Sequence, residues 1–128
     1  AVEAIGEVMS SPQLGDDAVA AWTSTCAAQA AAFHAEAALD RPIDHPLGEI
    51  SGRQFLEFRV FDITLHACDL ARSIGADERL ESDLVEVVPD IVRNGPPGMG
   101  FGITPLEHVT ETVSAQVTLL HLTGRTTE

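Results

Sequence analysis

The sequence predicts an all-α domain, and three observations carry that expectation. The 128 residues are rich in alanine, lack tyrosine, and are 45% hydrophobic against 21% charged, a mix that suits helices with a buried side. Apolar residues recur at steps of three and four through most of the chain. Proline, glycine and aspartate stand where those runs begin and end. This length can enclose a core without staples, so one domain over residues 1–128 is expected.

The chain opens with "AVEAIGEVM", where Val2, Ile5, Val8 and Met9 have helical spacing but nothing before them to cap a helix. It reads as if entered partway along a helix that stops at the turn "SSP". A long helix is predicted over 16 to 39, with Asp16 or Asp17 at its N-terminus and an alanine-rich body. Trp22, Cys26, Ala30 and Phe33 form one stripe of it, expected to face the core, while His34 and Glu36 lie off the stripe in solvent.

"DRPIDHPLGEISG" breaks the helix at Pro42 and Pro46 and turns at Gly48, which predicts a small hairpin-like connection; His45 within it is expected to be exposed rather than a ligand. Helical spacing resumes from about 53 to 74 and stops at Gly75, with Phe58, Phe61, Leu65 and Leu70 on the inward face. A further helix over about 80 to 93 is signalled by Leu80, Leu84, Val87, Val88 and Ile91, with Pro89 expected to kink or shorten it. "NGPPGMGFG" reads as an irregular loop without the flanking strand or lysine of a phosphate-binding turn. The last helix, about 112 to 123, turns Val113, Val117, Leu120 and His121 inward and ends at Gly124.

Charge narrows the partners. Twenty acidic residues face seven basic ones, all arginine and scattered between Arg41 and Arg125, for a net charge of -13. Such a surface repels phosphate backbones and anionic lipid, so neither nucleic acid nor a membrane is an expected partner. No apolar run approaches the ~20 residues that span a bilayer. The glutamates of the opening residues do not fit a signal peptide, and Cys26 and Cys68 lack the spacing of a disulfide framework or zinc knuckle. A reducing cytoplasm is the expected compartment.

The chemistry gathers in "FDITLHACDLA", residues 61 to 71. Steps of about 100° per residue bring Asp62, His66 and Asp69 to one helix face. Carboxylate oxygen and imidazole nitrogen are both competent ligands for zinc or a related divalent ion, and a pair one turn apart supplies half a site. The other half must come from another element, with His34, His45, His108 and His121 as candidates. The bland alternative is an ordinary helix face on which an aspartate hydrogen-bonds His66.

"FDITLHACDLARSIGAD" resembles the D-x-x-x-H-x-W-D-L-A-x-x-x-G signature of the mycothiol-dependent maleylpyruvate isomerase N-terminal domain family, a branch of the DinB-like four-helix bundles. "LGDDAVAAW" is similar to the opening of that family's second helix, "DRPIDHPLGEISGR" to its hairpin, and "VSAQVTLLHLTGR" to its closing helix, so nearly the whole chain is covered. The resemblance implies a metal, usually zinc, held by an acidic residue and a histidine four apart plus a histidine of the first helix. Asp62 and His66 occupy the paired positions, with Asp in place of the isomerase's Glu. Asp69 matches the aspartate of D-L-A, expected to support a ligand rather than be one. Cys68 stands where related domains carry tryptophan, and is expected to be a buried free thiol.

The family's first helix, with the remaining histidine, has no counterpart before "AVEAIGEVM". Either the given chain lacks an N-terminal portion, or this protein has lost a ligand and a bundle edge. In the second case a homodimer partner or another histidine would complete the site. The resemblance implies a metal-dependent thiol transferase or isomerase, in which a metal-bound small thiol such as mycothiol attacks an electrophilic substrate. A noncatalytic bundle that dimerises or binds a partner, and a small-molecule carrier, are the rival expectations.

Overall fold

The computed structural model describes residues 15–45, 48–94 and 114–126. Among them are four helices, α1 (Ala18–His34), α2 (Gly52–Ser73), α3 (Ser82–Asn94) and α4 (Ala115–Leu122), and two short strands, β1 (Pro42–His45) and β2 (Gly48–Ser51). The described chain is thus mostly helical, with its one sheet where the hairpin-like connection is expected. The opening helical stub, the expected loop "NGPPGMGFG" after Asn94, Val113 and His108 lie outside the described residues. No helix among the described residues is long and apolar enough to cross a membrane. The chain divides into two compact units, Ala1–Leu56 and Glu57–Glu128, with the division falling inside α2.

In the first unit Asp17 caps α1 by accepting the Ala20 amide at 2.9 Å. The helix ends at His34, five residues short of the expected 39, because Ala35 is extended and Ala37 takes a φ of 55°. Nothing in the alanine-rich sequence announces this stop. The amide of Gly52 donates to Arg41 O and that of Arg53 to Leu39 O, both at 2.8 Å, tying the segment after α1 to the start of α2. β1 and β2 pair antiparallel, with Ile43 opposite Ile50 and His45 opposite Gly48. Ser51 and Gln54 then start α2 with reciprocal bonds, Ser51 N to Gln54 Oε1 at 2.9 Å and Gln54 N to Ser51 Oγ at 3.2 Å.

The expected core stripe of α1 needs correction. Trp22 is 64% exposed, Cys26 and Ala30 are exposed, and no residue of the helix is buried. Of the stripe only Phe33 is half-buried, with its ring 6.0 Å from that of Phe55. From Ala18 to Phe33 the helix carries no charge on any side, so its larger residues do not single out one inward face.

In the second unit Phe61 and Leu65 of α2, Val88 and Ile91 of α3, and Leu119 of α4 form the core, with Phe58, Val60, Leu80 and Val92 packed against it. Within this unit the buried positions of α2 are Phe61, Thr64, Leu65 and Cys68, at i, i+3, i+4 and i+7. Leu70 lies about 200° round the helix from Cys68 and is 61% exposed, contrary to expectation. Val87 is 51% exposed, whereas its neighbour Val88 is fully buried. Pro89 is buried within α3, and the helix runs through it to Asn94. Ser114 caps α4 by accepting the Val117 amide at 3.3 Å. The Gln116 side chain accepts from Leu80 N at 3.0 Å and donates to Glu78 O at 2.9 Å, fastening the stretch before α3.

Candidate functional site

α2 buries Phe61, Thr64, Leu65 and Cys68, and this sends Asp62, His66 and Asp69 to its outer side. There the three do converge. His66 Nε2 lies 3.3 Å from Asp62 Oδ1, and His66 Nδ1 lies 3.5 Å from Asp69 Oδ2. The imidazole is 70% exposed and its two ring nitrogens face different carboxylates.

Two arginines complete the line. Arg59, one turn before Asp62, donates from Nη1 to Asp62 Oδ2 at 2.8 Å. Arg125, just past α4, grips Asp69 with two bonds, Nε to Oδ1 at 2.7 Å and Nη2 to Oδ2 at 2.6 Å. Those bonds hold the Asp69 carboxyl below its ordinary value, against the opposing effect of burial. The same pairing pushes the Arg125 guanidinium up. Arg59 was legible as an i, i+3 partner of Asp62. The role of Arg125 was not, since 56 residues separate it from Asp69, although it closes the "HLTGR" stretch singled out by the resemblance.

The pair Asp62 and His66 fits a divalent ion. Two ligand atoms bound tetrahedrally to zinc at about 2.0–2.1 Å stand about 3.3 Å apart, and Oδ1 and Nε2 stand at 3.3 Å. Each would-be ligand also has a partner on the atom it does not present: Arg59 on Oδ2 of Asp62, and Asp69 near Nδ1 of His66. Outer partners of this kind fix ligand orientation at metal sites.

Completion of the site is a separate matter. Among the described residues no group of three or more His, Cys, Asp or Glu side chains is gathered as an ion would need. His34 and His45 belong to the first unit. His121 is in the second unit, and its buried Nδ1 has no hydrogen-bond partner among the described residues, as is also true of Arg59 Nε.

Cys68 is buried and free, as expected, and Cys26 is free but exposed. The Cys68 thiol lies 3.7 Å from Glu78 Oε2. Burial, then the Glu78 charge, pushes the thiol up, and the opposing pull of Arg72 does not overcome them. Arg72 is itself engaged with Glu78 at 2.7 Å. A reactive thiolate is disfavoured there. No family model matches the chain, nor does any curated protein or solved structure.

Proposed function

We propose that the protein binds a divalent metal ion, zinc by preference, through Asp62 and His66, and uses it with a low-molecular-weight thiol, of which mycothiol is the type, against an electrophilic substrate. The supporting observation is the continuous line Arg59, Asp62, His66, Asp69, Arg125, in which two ligand-competent atoms stand at tetrahedral zinc spacing and the atoms behind them are engaged. The resemblance to the DinB-like bundles supports the same reading and supplies the thiol.

A bound divalent ion lowers the pKa of a coordinated thiol and so makes a thiolate available at neutral pH. The chain's own residues hold and orient. Asp62 offers Oδ1 while Arg59 retains Oδ2; His66 offers Nε2 while Asp69 faces its Nδ1–H; Arg125 prevents Asp69 from turning away. The third ligand would come from one of the four other histidines, from other residues outside the described set or from a second copy in a homodimer. With Cys68 raised and buried, the nucleophile is the small thiol rather than the protein's own. A cytoplasmic setting would keep that thiol reduced.

A noncatalytic association module is the second reading, favoured by the exposure of Val19 and Trp22 on α1. One experiment separates the two. The full chain is loaded with zinc, freed of excess, and assayed for bound metal and for release of halide as mycothiol displaces it from an activated aryl halide. The metal reading expects zinc that Asp62→Ala and His66→Ala both lose, together with turnover. Equal zinc in wild type and both variants overturns it, and retained zinc without turnover favours the association module.

A further inference from the structure

A cavity of about 270 Å³ opens within the first unit, lined in part by Ala32 and Phe33 of α1, Arg41, Ile43 of β1, and Gly52 and Phe55 of α2. It shares no residue with the line on the outer side of α2, and its chemistry is different. Its walls are mostly apolar, with two phenyl rings 6.0 Å apart and inclined at 40°. Its volume falls just below the ~300 Å³ at which pockets for drug-sized ligands begin. That suits a molecule with one ring.

Arg41 gives the cavity its polarity. Five of the seven arginines, at 59, 72, 79, 93 and 125, are in ion pairs with carboxylates of this chain. Arg41 is not: its guanidinium donates to the backbone carbonyl of Glu36 at 3.2 Å and meets no carboxylate among the described residues. A guanidinium that meets no carboxylate among the described residues, at the edge of an aromatic cavity, has donors to offer a ligand.

We infer that this cavity binds a small aromatic monocarboxylate, its ring against the apolar wall that includes Phe33 and Phe55 and its carboxylate on Arg41. The two requirements are complementary. Apolar walls reward burial of the ring, and the planar fork of Arg41 matches two carboxylate oxygens. Arg41 is exposed, so the ion pair is screened and affinity falls on the order of millimolar for so small a ligand.

The test uses the uniformly ¹⁵N-labelled full chain titrated with phenylacetate and, separately, with the uncharged phenylacetamide. Saturable shifts are expected at the amides of Phe33, Arg41 and Gly52, with the acid binding about tenfold tighter than the amide. Arg41→Gln should remove that preference, and Arg41→Lys should restore part of it. Ala32→Leu, at an exposed helix position that tolerates leucine, should weaken both ligands by filling the cavity. Equal affinity for acid and amide overturns the inference. So do unchanged binding by a folded Arg41→Gln or Ala32→Leu protein, and the absence of saturable shifts at those amides.

Discussion

Asp69 Oδ2 is shared: Arg125 Nη2 holds it at 2.6 Å, and His66 Nδ1 stands 3.5 Å from it. One carboxylate therefore fastens the chain after α4 to α2 and also faces the ring that the proposed metal site depends on. Arg125 touches Asp69 and not His66, so removing it loosens the anchor while the carboxylate stays beside the ring.

Removing the anchor should weaken the fold modestly. Asp69 is 43% exposed and Arg125 19%, so solvent screening reduces a bidentate pair to about 1 kcal/mol in a double-mutant cycle of Arg125→Ala and Asp69→Ala. The pH dependence has a definite sign. Asp69 sits below its ordinary value of 3.8 when folded, so its contribution is present above 3.8 and is lost as pH falls through the lower folded value. Urea denaturation of chelator-treated protein should show the Arg125→Ala deficit at pH 6 and its disappearance in strong acid. A deficit unchanged between those conditions would mean that the pair contributes nothing through charge.

Metal affinity should respond to Asp69 beyond any loss of stability. A carboxylate behind a ligating histidine typically contributes 10–100-fold to affinity, so Asp69→Asn should lower zinc affinity by about tenfold or more. Arg125→Ala, which leaves the carboxylate in place but frees it, should fall between Asp69→Asn and wild type. Competition with a chromophoric chelator gives the ranking directly. Equal affinities for Asp69→Asn and wild type would place Asp69 outside the site.

The two thiols should differ sharply. Cys26 is exposed, whereas Cys68 is buried and pushed up by burial and by Glu78. Iodoacetamide at neutral pH should modify Cys26 readily and Cys68 only as fast as the second unit opens, with full modification of both in denaturant. Peptide mass mapping over time distinguishes them. Comparable rates for the two in native protein would refute the buried assignment of Cys68.

What the sequence disclosed followed from local rules. The turn of α2 that aims Asp62, His66 and Asp69 the same way is a matter of 3.6-residue periodicity, and Pro42, Pro46 and Gly48 mark the hairpin connection without help from the fold. What stayed hidden depends on contacts distant in sequence. Arg125 reaches Asp69 only because α4 packs beside α3 and ends near α2. Beyond the end of α1 the chain is held by bonds from Gly52 and Arg53, while alanine propensity argues for continuing to 39. The stripe of Trp22, Cys26 and Ala30 misled for a physical reason. Periodicity locates an inward face by contrast with polar neighbours, and α1 offers no charge against which to read it.

Gly52 is where that hidden constraint can be tested. It is buried, its amide donates to Arg41 O at 2.8 Å, and a Cβ built on it would overlap the carbonyl oxygen of Ala38 and stand 3.1 Å from Leu39 Cα. Backbone cannot swing aside as a flexible side chain can, so Gly52→Ala should destabilise the protein by about 1–3 kcal/mol, although alanine is the better helix former. The effect should also be directional. Amides of 39–45 should lose hydrogen-exchange protection first, because the bonds from Gly52 and Arg53 anchor that segment, while Leu65 and Leu119 in the other unit keep theirs. A Gly52→Ala protein as stable as wild type, with unchanged exchange at 39–45, would show that the close approach of Ala38 to Gly52 does not set the end of α1.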